Sequence, residues 1–130
     1  MPRIKLDAVS VTSRDMARSV KFYELIGFDF PKLAAGQDHI EAVTRPGEVR
    51  LMIDSADLIE GILGRKPVPS THSAFAILCE TPAAVDAAAA AIGKAEFTVV
   101  RQPWDAFWGQ RYAVVADPEG YMVDLFAPLS

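Results

Sequence analysis

Apolar and polar positions cycle along this chain in an order that occurs twice. Over residues 4–11 the apolar residues Ile4, Leu6, Val9 and Val11 alternate with polar ones, with a slip at Ala8, and predict a strand. Met16, Val20 and Tyr23 then share one helical face. Asp15 stands where it can accept the free N–H groups of a first turn, and Gly27 where it can supply a left-handed stop. Three more strands are predicted over 28–33, 39–44 and 49–54, the last two joined by the tight-turn sequence Arg45-Pro46-Gly47-Glu48. A short helix over Ala56–Leu63 leads into residues 64–71, whose proline, glycine and charge mark a linker.

After the linker the order returns. Residues 72–78 predict a strand, Thr81-Pro82 a helix start, 83–92 a helix that Gly93 stops, and 96–101, 111–116 and 121–127 three strands. Asp117-Pro118-Glu119-Gly120 joins the last two as a tight turn. The pattern is that of an α+β protein built from two βαβββ modules. One domain is expected over 1–130, with module one at 1–63, the linker at 64–71 and module two at 72–130. A unit this small cannot bury its own sheet face, so the modules are expected to pack on each other or to exchange between copies.

Composition narrows the function classes. The 130 residues are 51% apolar and 23% charged, a globular balance, and a net charge of −4 leaves no basic footprint for nucleic acid. The lone Cys79 cannot form an internal disulfide, no apolar run is long enough to span a bilayer, and the first residues lack a signal-peptide core. A cytoplasmic protein with no membrane partner is the expectation.

Two motifs carry a resemblance. Asp15-Met16-Ala17-Arg18-Ser19-Val20-Lys21-Phe22-Tyr23, ending at Gly27-Phe28, resembles the D-x-x-x-S-x-x-F-Y-x-x-x-G-F opening of the vicinal oxygen chelate (glyoxalase/bleomycin resistance/dioxygenase) superfamily. Asp117-Pro118-Glu119-Gly120 with Val123-Asp124-Leu125 resembles its D-P-x-G-x-x-x-E-L ending. The resemblance implies two modules forming one cavity, completed in a homodimer that can be domain-swapped. Members of the superfamily include metal-dependent lyases, isomerases and dioxygenases as well as drug binders that perform no chemistry, and fold alone does not choose between them.

In the metal enzymes the ligands come from the first and last strand of each module. Overlaying the repeats places these positions at Ala8, Leu51, His72 and Asp124. Alanine and leucine offer no lone pair, whereas a catalytic divalent metal needs about three protein ligands and an open position. Metal catalysis is therefore disfavoured and no cofactor is expected, unless His39, Glu41 and Asp54 serve in another register. His72 and Asp124 read as partly buried residues, His72 hydrogen-bonded and Asp124 salt-bridged or facing solvent, or as polar anchors on a cavity floor, or as a remnant acid/base pair.

The segment 102–112 holds Trp104, Phe107, Trp108 and Tyr112 in what reads as a loop entering a strand. Flat rings suit stacking on a planar ligand, and they equally suit sealing a core or an interface. Trp108 is the first choice as a stacking residue because Gly109 leaves room beside it. Arg111, like Arg50, can clamp an anionic group or simply face solvent. This segment, with residues 39–43 and 123–129, resembles the mitomycin-binding and bleomycin-resistance-type drug binders, from which it departs at Tyr121 and over 32–38. The function expected is metal-independent binding and sequestration of a planar, antibiotic-like molecule. The alternatives are a metal-dependent lyase, isomerase or dioxygenase, and a metal-free enzyme with His72 as base.

Overall fold

A computed structural model of the chain describes residues 3, 5–69 and 74–130. Module one comprises β1 (Ala8–Ser13), α1 (Met16–Ile26), β2 (His39–Glu41), β3 (Arg50–Ser55) and α2 (Ala56–Leu63). Module two comprises β4 (Phe75–Leu78), α3 (Pro82–Lys94), β5 (Thr98–Ala106), β6 (Gln110–Ala116) and β7 (Met122–Pro128). The strands form two sheets, sheet A in the order β1-β3-β2 and sheet B in the order β4-β7-β6-β5. In each, the module's first strand runs parallel to its last one, β1 to β3 and β4 to β7.

The opening motif is explained by local physics. The Asp15 carboxylate accepts the N–H of Arg18 and caps α1. Ser19, 1% exposed, bonds the Ser13 hydroxyl at 2.6 Å, which satisfies two buried groups at once. Phe22 and Tyr23 are wholly buried. Gly27, at φ 129°, ends the helix with paired bonds from Gly27 N–H to Glu24 and from Phe28 N–H to Tyr23. The predicted start of α3 also matches, with Thr81 capping through Ala84 N–H and Pro82 in the first turn.

Three elements differ from the sequence reading. Residues 28–33 form no strand; their ladder contribution is a single bond from Val43 N–H to the Asp29 carbonyl. Gly93 does not stop α3, which continues to Lys94. Glu96 takes the left-handed conformation instead (φ 66°), and bonds from Glu96 N–H to Gly93 and Phe97 N–H to Ile92 close the end. β5 runs on to Ala106, so Trp104 lies on a strand, and only 107–109 turn the hairpin. Gly109 (φ 89°) supplies the left-handed residue of that three-residue turn, and open space surrounds the position its Cβ would take. The turn itself requires a glycine at this position.

α1 and α3 pack on each other. One core joins Val11, Phe22, Tyr23, Ile40 and Ile53 of module one to Val85, Ile92, Val115, Val123 and Leu125 of module two. The seam is fastened by the turn between β6 and β7. Tyr23 Oη donates to Asp117 Oδ2 at 2.7 Å, Thr12 N–H reaches Tyr121 Oη at 3.4 Å, and Arg14 pairs with Glu119 at 2.8 Å. Tyr121, a departure from the drug-binder pattern, is thus used at the seam. Burial holds the Asp117 carboxyl above its ordinary range, and burial together with Asp117 pushes the Tyr23 phenol upward, so the phenol remains a donor. No helix of the described chain is long and apolar enough to cross a membrane.

Tyr23→Phe should remove this donor and leave a buried carboxylate oxygen unpartnered, lowering stability by about 1–3 kcal/mol. Chemical denaturation checks it: unchanged stability would mean that the seam is not held there.

Candidate binding site

Because each sheet buries one face against the shared core, the other face of each is turned away from it. On sheet B the register of four strands aligns Leu78, Phe126, Tyr112 and Trp104 in one row across that outward face. The Tyr112 ring stacks on Phe126 with centroids 6.2 Å apart, and Trp104 meets Tyr112 edge-on at 5.5 Å. Trp108, from the hairpin tip, closes on both, at 5.2 Å from Tyr112 and 6.1 Å from Trp104. Its indole N–H donates to Gln110 Oε1 at 2.9 Å, which fixes the ring. Trp108 remains 48% exposed and Phe107, at 5.0 Å from it, 97% exposed. The result is an open aromatic wall.

Asp124 lies in the adjacent row, opposite Ala76 and Val114. It accepts the Tyr112 hydroxyl at 2.5 Å. Burial and this carboxylate push the Tyr112 phenol up to about 12, so near neutrality it is a donor and not a base.

The sequence-expected residues therefore separate. Trp104, Trp108, Tyr112 and Asp124 meet on one face, with Phe107 at its rim. Arg111 does not join them. Its neighbours in register are Asp105 and Ala127, on the core side of the sheet, where it pairs with Asp86 at 2.9 Å and Asp105 at 3.1 Å. The strand alternation that sends Tyr112 outward sends Arg111 the other way. His72 lies outside the described residues.

The positions implied for metal ligands also shift. Counted back from the helix caps Asp15 and Thr81, Ser10 is equivalent to Ala76. Ser10 is paired with Met52 and Ala76 with Asp124, so the counterpart of Asp124 is Met52. Leu51 is a core residue, 5% exposed. Among the described residues, Ala8, Met52 and Asp124 supply one carboxylate and no nitrogen ligand, too few to hold a catalytic divalent cation by themselves.

The outward face of sheet A is polar. Ser10 Oγ donates to Asp54 Oδ2 at 2.5 Å, and His39 lies between Asp54 (Nδ1 to Oδ1, 2.5 Å) and Glu41 (Nε2 to Oε2, 2.9 Å). Arg50 bridges Glu41 at 2.7 Å and Asp7 at 2.8 Å. His39, Glu41 and Asp54 do come together, but both ring nitrogens of His39 are directed at carboxylates, so neither is free for a cation or for proton abstraction. Among the described residues no group of three or more His, Cys, Asp and Glu side chains is disposed to hold a metal ion. A separate cavity of about 720 Å³ lies between β4 and residues 42–49, lined in part by Leu51, Ile77, Leu78 and Cys79. It contains none of the aromatic wall except Leu78 at its margin.

The sequence reading did not mark Arg101, Phe126 or Gln110 as members of the wall. Registering the β5–β6 hairpin about Gly109 sets Trp104 opposite Tyr112 and places Gln110 beside them, whereas Phe126 needs the β6–β7 register and Arg101 the two bulges of β5.

The comparisons with known proteins agree with this architecture. The family model of the Glyoxalase/Bleomycin resistance protein/Dioxygenase superfamily matches residues 5–125. No curated protein matches. Among solved structures, a glyoxalase-related enzyme from Fulvimarina pelagi superposes with a TM-score of 0.80 at 17% identity, covering 95% of this chain and 87% of that one. A glyoxalase/bleomycin resistance protein/dioxygenase from Nocardioides gives 0.72 at 21% identity, over 100% and 87%. Lactoylglutathione lyase from Agrobacterium tumefaciens gives 0.66 at 15% identity, over 98% and 96%. At these identities the likeness is one of fold.

The two carboxylates raise the His39 pKa through hydrogen bonds, Asp54 first and Glu41 second. The raised value means that this clamp stabilises the fold fully below the ordinary histidine value of about 6.5, and that its contribution is lost as pH rises through the folded-state value. An NMR titration of the His39 ring should give a midpoint above about 6.5 that Asp54→Asn lowers. A midpoint at or below that value would mean that the clamp does not form in solution.

Proposed function

The chain belongs to the glyoxalase/bleomycin resistance protein/dioxygenase superfamily, and on that footing we propose that it is a binding protein that sequesters a planar small molecule without a metal. The observation that carries this reading is the row of part-buried aromatic side chains on the outward face of sheet B, with Trp108 half-open to solvent and held by its own hydrogen bond. Rings fixed in this way offer a large contact area at little entropic cost, and water leaves them readily. The donor set argues in the same direction, since among the described residues Ala8, Met52 and Asp124 offer a divalent cation one carboxylate.

Sequestration is a mass-action process: ligand is withdrawn as complex, so protein abundance sets the capacity. Trp108 would stack on the ligand first, with Trp104 and Tyr112 behind it and Phe107 folding in from the rim. Asp124, already holding the Tyr112 hydroxyl, would orient a donor group of the ligand. An antibiotic of the mitomycin or bleomycin type is one candidate of this shape. A homodimer would place a second copy's outward face over the wall and also cover the free edge of β4.

Titrating the purified protein with a panel of planar antibiotics should quench tryptophan fluorescence saturably, and Trp108→Ala should weaken binding by about tenfold or more, as loss of a central aromatic anchor does. Metal analysis after dialysis should find no stoichiometric transition metal. Retained metal would overturn the sequestration reading in favour of a metal-dependent lyase or dioxygenase.

A further inference from the structure

Arg101 occupies the row beside the aromatic one, aligned with Val114, Asp124 and Ala76 across sheet B. The register of β5 against β6 breaks on both sides of it, between Val99 and Arg101 and between Arg101 and Trp104. Such bulges bend an edge strand and re-aim the side chains they bracket. Here they bring the guanidinium over the Trp104 ring, 3.5 Å from its centroid. Arg101 is exposed and makes no ion pair among the described residues. Arg111, ten residues on, is neutralised by Asp86 and Asp105 on the opposite side of the sheet. The wall therefore has one uncommitted cation, already stacked and presenting its N–H edge.

The wall is also asymmetric in charge. Asp124 stands two strands from Arg101, roughly 10 Å at the usual strand spacing, and its Oδ2 is taken by Tyr112. A ring lying on the aromatic row between them meets a cation at the β5 end and a carboxylate at the β7 end.

We propose that the ligand of this wall is a planar aromatic compound bearing a carboxylate, which Arg101 receives through paired N–H bonds while remaining stacked on Trp104. This rests on the stacking reading above and adds the ligand's charge and its direction. A planar guanidinium matches a carboxylate in two bonds, and stacking holds it ready for them. A second anionic group at the other end is disfavoured by Asp124.

Calorimetric titration of the full chain with 2-naphthoate and with 2-naphthamide, which share shape but not charge, tests the proposal. The carboxylate should bind about tenfold more tightly than the amide, the difference expected of a charge-assisted pair, and the gap should narrow in high salt. Arg101→Gln should bring carboxylate binding down to the level of the amide measured on the same variant, erasing the gap. Equal binding of the two probes, or a gap that survives Arg101→Gln, overturns the charge assignment alone. Binding of neither overturns it together with the stacking reading.

Discussion

The hydrogen bond from Tyr23 to Asp117 is the constraint on which the rest of the structure hangs. Asp117 is 4% exposed and accepts from the Tyr23 hydroxyl and from the backbone N–H groups of Glu119 and Tyr121. A carboxylate buried so deeply is tolerable only when its oxygens are satisfied, and here one donor comes from the other module. The turn cannot shift without stripping that partner. The same turn sets β6 against β7, and their register places Tyr112 beside Phe126 and Val114 beside Asp124. One polar contact in the core thus ties helix α1 of module one to the alignment of the wall on module two.

The fold was legible where the chain uses side-chain chemistry to end an element. Asp15, Gly27, Thr81 and Pro82 all act where the sequence reading places them, because a cap needs a particular acceptor or a left-handed backbone. It was less legible where tertiary context decides. Residues 28–33 look like a strand by composition, yet Phe28, Phe30 and Leu33 pack onto the core without a continuous ladder. Glycine is the ordinary left-handed stop, but α3 takes Glu96 for it and carries Gly93 inside the helix. The length of β5 was hidden by Pro103, which reads as a loop residue but sits without penalty on an edge strand.

The site divides along the same line. Its aromatic residues were visible from composition, since four rings in eleven residues need a common surface. Which arginine joins them was not, because that depends on strand parity and on two bulges that no periodicity announces. Arg111 and Arg101 exchange roles for this reason alone. The overlay of repeats erred for a related cause: it aligned Pro46-Gly47-Glu48 to the Asp117 turn, whereas strand pairing aligns Met52 with Asp124.

The two outward faces differ in what they have left to offer. On sheet A the charges alternate from Asp7 through Arg50, Glu41 and His39 to Asp54, and each side chain spends its donors or acceptors on the next. A ligand arriving there would have to break a bond for each one it made, so little net free energy would be gained. On sheet B the polar edges of Tyr112 and Trp108 are bonded, to Asp124 and Gln110, but the half-open Trp108 and the exposed Phe107 leave ring surface for a ligand. Their exposed faces release water on contact, and the one cation beside them is stacked without being neutralised. The network on sheet A therefore acts as a rigid, self-satisfied floor. On the proposed reading, affinity comes from the aromatic wall and selectivity from the charges at its two ends.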